Sequence, residues 1–481
     1  MNFSLLYKNP EPASAFGAVK PLLLDETLSA ICGDNSKAER FANVIAAPCT
    51  DPENINYRRE IIADLRANEK LAARLKTVFG RYDRMKNDWL GMRDGAAAPS
   101  DASAEVRLDA AWSALKRIST FPAALVSFIS EIRDAIPPDE VKSQGLRALR
   151  DRCAALVDGQ LAALAATADK FRFSAPETHS LELSVRTDAA FACVSVSVAD
   201  VVETPPKKRG LSAVFKRKQR DENSTEDGSA AQFEMSLEVR ALTELGGVMT
   251  DVLDAVYDTF YGISEEISFY ECALEFVAFL ERHSLCCFPD IAENGAGECR
   301  ISSLHDLRLL TGGAAVVPYD LDIPPQTRGL LIRGENGAGK TTFLRALGTA
   351  ILLCQAGLPI PARGAEMPIL NGVYAHFASS EEDFRTGDRA GRFESEVRAL
   401  SDILDGIGAG AILLMNETFQ STTFDEGTRA MRDLLCALGD NGVAYVLVTH
   451  LTSLFDEPIE GTERFEFDLN NHTYKKLEVK Q

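Results

Sequence analysis

The 481-residue chain lacks long apolar runs and the cysteine and histidine spacings of a metal site. No window reaches eighteen consecutive apolar residues, and the N-terminal segment has no apolar stretch followed by a cleavage site. The ten cysteines include the adjacent pair Cys286 and Cys287 but no C-x-x-C. We therefore expect a cytoplasmic protein with reduced thiols, no zinc site and no membrane partner.

Positive charge is also scarce. The net charge is −20, and from residue 301 onward 16 Lys and Arg stand against 25 Asp and Glu. Because non-specific affinity for nucleic acid comes mainly from neutralised phosphates, this balance weighs against a large DNA-wrapping surface but not against a local basic patch. The hydrophobic share of 46% is ordinary for a globular protein with about two to four domains.

The first half of the chain carries the pattern of helices. Residues 51–175 are rich in Ala, Leu, Arg and Glu, with apolar residues three and four positions apart, and residues 233–284 return to the same pattern. Between them, SLELSVRTDAAFACVSVSV, residues 180–198, has β-branched residues in partial alternation. This predicts a mainly α-helical domain with a small β excursion.

A basic segment interrupts the helical pattern at residues 203–232. Seven of the fifteen residues from Pro206 to Arg220 are basic, and an acidic, Ser-containing tract follows. This composition cannot bury a core, so we expect an exposed loop, either a solvated linker or a contact for nucleic acid or a membrane surface. The candidate DNA contacts are Lys207, Lys208, Arg209, Lys216, Arg217 and Lys218.

After residue 298, short apolar runs alternate with helical segments and Gly-rich turns. This alternation predicts an α/β domain with a mostly parallel sheet flanked by helices. The predicted organisation is an N-terminal segment at 1–40, a helical domain at 41–298 and the α/β domain at 299–481.

The α/β domain begins with a phosphate-binding motif. In GLLIRGENGAGKTTFLRALGTAILL, an apolar strand leads into G-x-x-x-x-G-K-T and an amphipathic helix follows. Glycines let successive amides curl around a phosphate, Lys340 would reach the β- and γ-phosphates, and Thr341 would hold Mg²⁺. The predicted nucleotide-binding residues are Gly334, Glu335, Asn336, Gly337, Ala338, Gly339, Lys340, Thr341 and Thr342.

Two later strands end in candidate catalytic residues. AILLMNE is an apolar strand that ends at Asn416 and Glu417, and we predict Glu417 as the general base that polarises the attacking water. YVLVTHLTSL is a second apolar strand that ends at His450, whose ring could sense the γ-phosphate. A histidine in this position is otherwise a capping or packing residue.

With these three pieces in order, the C-terminal part resembles the ATPase domain of the MutS family, the DNA mismatch repair proteins and their relatives. GRFESEVRALSDIL, residues 391–404, is similar to the family's signature helix, and NETFQSTTFDEG matches the segment that follows its catalytic strand, with Thr422 and Gly427 in register. The resemblance covers residues 40–481 and is strongest after residue 325. It implies ATP or ADP with Mg²⁺ as cofactors, core and lever helices before the ATPase domain, and a dimer formed through the ATPase domains.

The chain departs from the family pattern in three places. The segment before residue 40 has no room for the family's mismatch-reading domain, so we do not expect a mispaired base to be read by an aromatic wedge. The family serine that reaches a γ-phosphate across the dimer aligns with Gly391, where helix N-terminal amides or Arg392 are candidates for the contact in trans. The family aspartate that contacts Mg²⁺, usually through water, is replaced by Asn416, which should weaken the metal site.

Two functions of different classes follow from these expectations. The first is a MutS-like ATPase that hydrolyses ATP, slowly because of Asn416, at composite dimer sites and couples hydrolysis to lever movement and DNA binding. The second is a nucleotide-gated scaffold that clasps a protein partner with little hydrolysis, which the acidic balance and Asn416 favour. An ABC-type transport ATPase fits poorly, because the sequence has no LSGGQ-like segment.

Overall fold

The chain divides into two compact units. Unit 1 comprises Met1–Phe3 and Glu69–Ser264, and unit 2 comprises Ser4–Asn68 and Glu265–Gln481. The predicted domain boundaries at residues 40 and 298 remain predictions. The computed structural model describes residues 3–10, 22, 24–47, 49–93, 99, 101–174, 179–188, 193–203, 225–292, 298–314, 316–378, 389–419, 423–468 and 473–477.

Three helices near the N-terminus belong to unit 2. The second begins after Asp34, whose carboxylate accepts hydrogen bonds from the amides of Ser36 and Lys37, and the third begins after Asp51, which accepts from Glu53. An acceptor at the N-cap satisfies amides that the first turn leaves without a helical partner, so these carboxylates fix where the helices start. The helices are α1 (Leu24–Cys32), α2 (Asn35–Ala46) and α3 (Pro52–Ala67).

Unit 1 is mainly helical, as the apolar spacing predicts, and it contains both tryptophans of the chain. Trp112 packs on Phe171 with the ring centroids 5.8 Å apart. Trp89 stacks on Tyr257 at 5.8 Å, and its indole nitrogen donates a 2.7 Å hydrogen bond to Asp254 Oδ1. The helices are α4 (Glu69–Phe79), α5 (Tyr82–Arg93), α6 (Ala104–Ile118), α7 (Phe121–Ala135), α8 (Gln144–Asp158), α9 (Gln160–Arg172) and α10 (Thr225–Arg282), which continues into unit 2.

A β-hairpin follows the ninth helix, where the sequence predicts a β excursion. Strands β1 (His179–Thr187) and β2 (Cys193–Glu203) pair in antiparallel fashion, and apolar residues of both pack against the Trp112 cluster. Helix α10 begins at Thr225, inside the segment predicted as a loop that extends to residue 232.

The C-terminal region of unit 2 contains three sheets and the helices that cover them. Its helices are α11 (Leu307–Thr311), α12 (Lys340–Gln355), α13 (Arg389–Gly406) and α14 (Phe424–Asp440). Its strands are β3 (Cys286–Cys287), β4 (Asp290–Ile291), β5 (Cys299–Leu304), β6 (Tyr319–Ile323), β7 (Gly329–Gly334), β8 (Ile360–Pro361), β9 (Gly364–Met367), β10 (Gly372–Phe377), β11 (Ala411–Asn416), β12 (Ala444–Val448), β13 (Thr462–Asp468) and β14 (Thr473–Lys476).

The largest sheet has the strand order β10-β11-β12-β7-β13-β14. Its pairs are parallel except the pair of β13 with β14, which confirms the predicted mostly parallel sheet. A second sheet, β4-β9-β5-β6, contains antiparallel pairs, and β3 pairs with β8. Strands β3, β4 and β8 have two residues each and are too short to show a hydrophobic period. Their pairing is therefore not predicted from the sequence.

Helices cover both faces of the large sheet. Leu413 and Met415 of β11 belong to a buried cluster with residues of α13 and α14. Leu414 points to the opposite face, because successive strand residues alternate. There α12 approaches closely: a Cβ added to Gly348 would lie 2.6 Å from Leu414 Cδ1 and 2.8 Å from Leu22 Cδ2. Glycine therefore allows the helix that follows the phosphate motif to lie directly on the sheet.

The C-terminal end of α12 is held by buried polar side chains. Gln355 is fully buried, and its amide nitrogen donates to the carbonyl oxygens of Cys49 and Leu370 at 2.9 and 2.8 Å. Arg58 of α3, also fully buried, donates to the carbonyl oxygens of Leu6 and Ala356 at 2.9 and 3.3 Å. Breaking one of these hydrogen bonds would leave a buried donor without that acceptor, which costs about 1–3 kcal/mol of folding free energy. The bonds therefore fix the position of the helix end.

The N-terminal segment of unit 2 is held by side chains that come later in the sequence. Glu266 of α10 accepts hydrogen bonds from the Ser4 hydroxyl and the Leu5 amide at 2.5 and 2.6 Å. Asn54 Oδ1 accepts from the amides of Lys8 and Asn9 at 2.8 and 2.9 Å. The first residues of unit 2 are therefore fixed to α3 and to the C-terminal part of α10.

Among the described residues, no helix is both long and apolar enough to cross a membrane. All ten cysteines are described, and all are free thiols.

We predict that Gly329→Ala destabilises unit 2. A Cβ at this position would lie 2.0 Å from the ring of Tyr445, which is 1% exposed and cannot move without disturbing the core. Overpacking of this kind costs about 1–3 kcal/mol, so calorimetry should show a lower melting temperature.

The matched control is Gly262→Ala in α10, where nothing lies within 4 Å of the added Cβ. Alanine is the better helix former by about 1 kcal/mol, so this variant should melt at the native temperature or above it. Equal melting temperatures for the Gly329 variant and the native protein would contradict the packing argument.

Candidate functional site

The loop between β7 and α12 has the backbone geometry of a phosphate cradle. Gly337 and Gly339 have φ angles of +83° and +90°, a left-handed conformation that side chains disfavour. A Cβ at Gly339 would also lie 2.9 Å from the hydroxyl of Tyr319, which donates a hydrogen bond to the Gly339 carbonyl at 3.2 Å. Glycine is therefore required where the loop turns into the helix, whose N-terminal amides face an anion site.

Lys340 is the first residue of α12, and its ammonium group lies over the loop. It donates hydrogen bonds to the carbonyl oxygens of Gly334 and Glu335 at 2.7 and 2.9 Å. Burial lowers the pKa of Lys340, and the negative charge of Glu417 partly opposes that shift. A cation with a reduced hydration shell attracts a phosphate group more strongly than an exposed lysine does.

Thr341 and Asn416 form a pair of oxygen ligands. The Thr341 hydroxyl donates a 3.0 Å hydrogen bond to Asn416 Oδ1 at the end of β11. Both atoms are hard neutral oxygens, which Mg²⁺ accepts, but it prefers a carboxylate. The donor set therefore fits a magnesium ion held weakly by the protein and more strongly by a phosphate ligand.

Glu417 and His450 face each other across the ends of β11 and β12. The His450 Nε2 atom lies 3.0 Å from Glu417 Oε1 and 2.9 Å from Asn336 Oδ1, and the His450 amide donates to Glu417 Oε2 at 3.2 Å. Because both partners of Nε2 are oxygen acceptors, the ring nitrogen donates to them. The Glu417 side chain is 15% exposed and that of His450 is 44% exposed, so the carboxylate is shielded and the ring is open to solvent.

The backbone holds Glu417 in an unusual conformation. Its φ angle is 56°, and its amide donates a 2.8 Å hydrogen bond to the carbonyl of Val448 in the neighbouring strand. A left-handed non-glycine residue costs about 1–2 kcal/mol. Such strain is common at functional sites, where the surroundings impose the conformation.

These groups line one cavity of about 410 Å³. It offers helix N-terminal amides, a partly desolvated ammonium group, the Thr341 hydroxyl, which is bonded to Asn416, and a carboxylate beside an imidazole. This combination can bind a phosphate chain and place a base next to it. The lining residues are Asn336, Gly337, Gly339, Lys340, Thr341, Thr342, Glu417 and His450.

The structure places the predicted nucleotide, metal and catalytic residues close together. For other predicted residues, the structure does not describe the side chain or the whole residue. Gly391 and Arg392 lie in the first turn of α13, but their side chains are not among those described. The predicted DNA contacts from Lys207 to Lys218 lie outside the described residues. Their roles remain predictions, as do those of the cavity residues.

Sequence reasoning missed Tyr319 as part of this site. Its ring packs on Phe343 of α12 and Phe467 of β13, with centroids 5.3 and 6.1 Å apart, and its hydroxyl contacts the phosphate loop. The sequence feature that could have indicated this role is an aromatic residue in β6, the strand that precedes β7. Only the fold places that strand against the loop.

The comparison with protein families matches residues 330–477 to the model of MutS domain V. That segment contains the whole phosphate loop, both strands that end at the catalytic candidates, and α13.

Curated relatives carry two kinds of name. The chain is 29% identical over 140 residues to Endonuclease MutS2 of Solidesulfovibrio magneticus, covering 29% of this chain and 18% of that protein. It is 26% identical over 197 residues to Endonuclease MutS2 of Gemmatimonas aurantiaca, covering 41% and 23%. It is 29% identical over 169 residues to DNA mismatch repair protein MutS of Chlorobium phaeobacteroides, covering 33% and 18%. The matches therefore span less than a quarter of these relatives' own lengths.

We predict that Asn416→Asp strengthens Mg²⁺ binding. The substitution places a carboxylate 3.0 Å from the Thr341 hydroxyl without changing the shape of the side chain. A hard cation prefers this ligand, so MgCl₂ should raise the melting temperature of the variant more than that of the native protein.

Asn441→Asp is the control, because Asn441 lies at the exposed C-cap of α14, away from the cavity. It should respond to MgCl₂ as the native protein does. If the two aspartate variants respond equally, Asn416 is not part of a magnesium site.

Proposed function

The chain belongs to the MutS family through its C-terminal region, and on this premise we propose that it binds and hydrolyses ATP with Mg²⁺ at the cavity described above. The observation that carries the proposal is the convergence of Lys340, Thr341, Glu417 and His450 on one cavity, with Asn416 bonded to the Thr341 hydroxyl beside it. A P-loop ATPase fold for residues 299–481 is part of the proposal.

The phosphate loop and the first turn of α12 would hold the nucleotide. Backbone amides from Gly337 to Thr342 would bind the phosphate chain, Lys340 would neutralise its β- and γ-oxygens, and Thr341 with Asn416 would hold Mg²⁺, in part through water. When bound, Mg²⁺ neutralises charge that develops on the phosphate oxygens.

Glu417 acts as the general base in this proposal. Its carboxylate lies beside the cavity, shielded from bulk water, and accepts a proton from the attacking water. His450 holds Glu417 through Nε2 and the backbone amide and is in a position to contact the γ-phosphate. Asn336 holds the same ring nitrogen and couples the imidazole to the phosphate loop.

Asn416 makes the proposed hydrolysis slow. An amide oxygen keeps the hydrogen bond from Thr341 but removes one negative charge next to the metal. Mg²⁺ is then held less tightly, and the fraction of enzyme with a complete site falls at a given Mg²⁺ concentration. The base remains, so the chemistry itself is retained.

We place the active assembly in a dimer formed through the ATPase domains. The N-terminal end of α13, with Gly391 and Arg392, would contact the nucleotide of the partner in trans. The helices before the ATPase domain would serve as levers that hydrolysis moves against DNA, with the basic segment from Lys207 to Lys218 as a contact for phosphates. The names of the relatives, MutS and MutS2, support the DNA part of this proposal.

We predict that Glu417→Gln lowers the turnover number for ATP by about 100-fold or more while leaving nucleotide affinity near the native value. Glutamine has the same shape but cannot accept the proton. Steady-state phosphate release and equilibrium binding of a fluorescent ATP analogue measure the two quantities.

Two further variants complete this experiment. Lys340→Ala should lose nucleotide binding itself, because it removes the cation of the loop. Glu460→Gln, an exposed carboxylate outside the cavity, should behave as the native protein. No phosphate release by the native protein with Mg²⁺ would contradict the proposed hydrolysis.

We predict that duplex DNA binding, measured by fluorescence anisotropy, depends steeply on salt. Each neutralised phosphate contributes about 0.9 to the slope of log affinity against log salt. Deleting residues 207–220 should flatten this slope, because seven basic side chains lie there.

The matched control neutralises acidic residues of the same segment, Asp221, Glu222 and Glu226, to the corresponding amides. It should keep or steepen the slope. Undetectable DNA binding at low salt, with and without nucleotide, would reject the DNA part of the proposal and favour the alternative, a nucleotide-gated scaffold for a protein partner.

A further inference from the structure

The turn that follows β11 is strained on both sides of a buried residue. Glu417 and Phe419 have φ angles of 56° and 66°, and Thr418 between them is fully buried. Left-handed conformations are uncommon for non-glycine residues and persist only where the surroundings impose them. Two such residues in one turn require groups outside the turn to hold it.

Helix α13 supplies one of these groups. The backbone amide of Phe419 donates a 3.0 Å hydrogen bond to Glu396 Oε1, 23 residues earlier in the chain. A carboxylate that accepts from a backbone amide makes a charge-assisted bond, which is stronger than a neutral one. The bond fixes the backbone two residues after Glu417.

Strand β10 supplies the other group. His376 Nδ1 lies 2.9 Å from the Thr418 hydroxyl, and His376 is 6% exposed. Burial lowers the pKa of His376, while the charge and backbone of Glu396 oppose that shift. The lowered pKa favours the neutral ring, which lies near Glu396 and holds the Thr418 hydroxyl.

We propose that Glu396 and His376 are positioning residues that hold Phe419 and Thr418 and so direct the Glu417 carboxylate at the cavity. This inference rests on the proposed function, in which Glu417 is the base. Without the acceptor on α13, the Phe419 amide loses its partner and the turn relaxes toward right-handed conformations. The Glu417 carboxylate then leaves the position in which it meets His450 Nε2 at 3.0 Å.

The test compares three variants on one helix. Glu396→Ala removes the acceptor, Glu396→Gln keeps an acceptor oxygen at the same place, and Glu394→Ala removes a nearby exposed carboxylate that pairs with Arg398. A misplacement of about 1 Å can cost about 100-fold in rate, so Glu396→Ala should lower the turnover number by about 10- to 100-fold with little change in nucleotide affinity. Glu396→Gln should recover most of the turnover, and Glu394→Ala should match the native protein.

Hydrogen exchange gives a second readout that does not need turnover. The peptide that contains Phe419 should exchange faster in the Glu396→Ala variant than in the Glu394→Ala variant, because the amide has lost its partner. Thr418→Val, which removes the hydroxyl and conserves the volume, should also lower turnover, and Thr418→Ser should restore it.

The outcomes separate this inference from the proposed function. If the native protein hydrolyses ATP and Glu396→Ala is unchanged in both turnover and exchange, the positioning role is overturned and the ATPase stands. Equal losses in the Glu396→Ala and Glu396→Gln variants, or a loss confined to nucleotide affinity, also overturn it. Absence of hydrolysis by the native protein overturns both.

Discussion

The functional cavity depends on the parallel alignment of three adjacent strands. β7, β12 and β11 lie side by side, with Ile332 opposite Val448 and Val448 opposite Asn416. Neighbouring strands are about 4.8 Å apart, so the residues that follow them meet within hydrogen-bonding reach although the three strands are separated in the sequence by other elements. A change in the order or register of these strands would separate the phosphate loop from the carboxylate and the imidazole.

The charge balance at this edge of the sheet differs from that of a site with two carboxylates. Glu417 is the anion that faces Lys340, and Asn416 keeps the shape of a second acid without its charge. The missing charge weakens attraction to a divalent cation, but it also removes repulsion of a triphosphate, and both effects are large in a partly desolvated cavity. Under the proposed function, an asparagine at this position shifts the site toward retention of the nucleotide.

The sequence predicts the parts of the site better than their surroundings. The phosphate motif, the apolar strands before Asn416 and His450, and the helical first half all have local signals, and the structure brings the motif residues together as predicted. The two-residue strands of the smaller sheets lack such a signal because they are too short to show a period. The contact of Tyr319 with the loop and the bonds of Glu396 and His376 to the strained turn depend on side-chain directions across distant segments, which spacing alone does not reveal.

Because both tryptophans lie in one unit, tryptophan fluorescence reports on that unit alone. Trp89 and Trp112 are both buried in unit 1, and the cavity proposed to bind the nucleotide lies in unit 2, which contains no tryptophan. Indole emission reports on the polarity and packing around these two side chains. A change in tryptophan fluorescence when a nucleotide occupies the cavity is therefore a signal from the other unit, obtained without any added label.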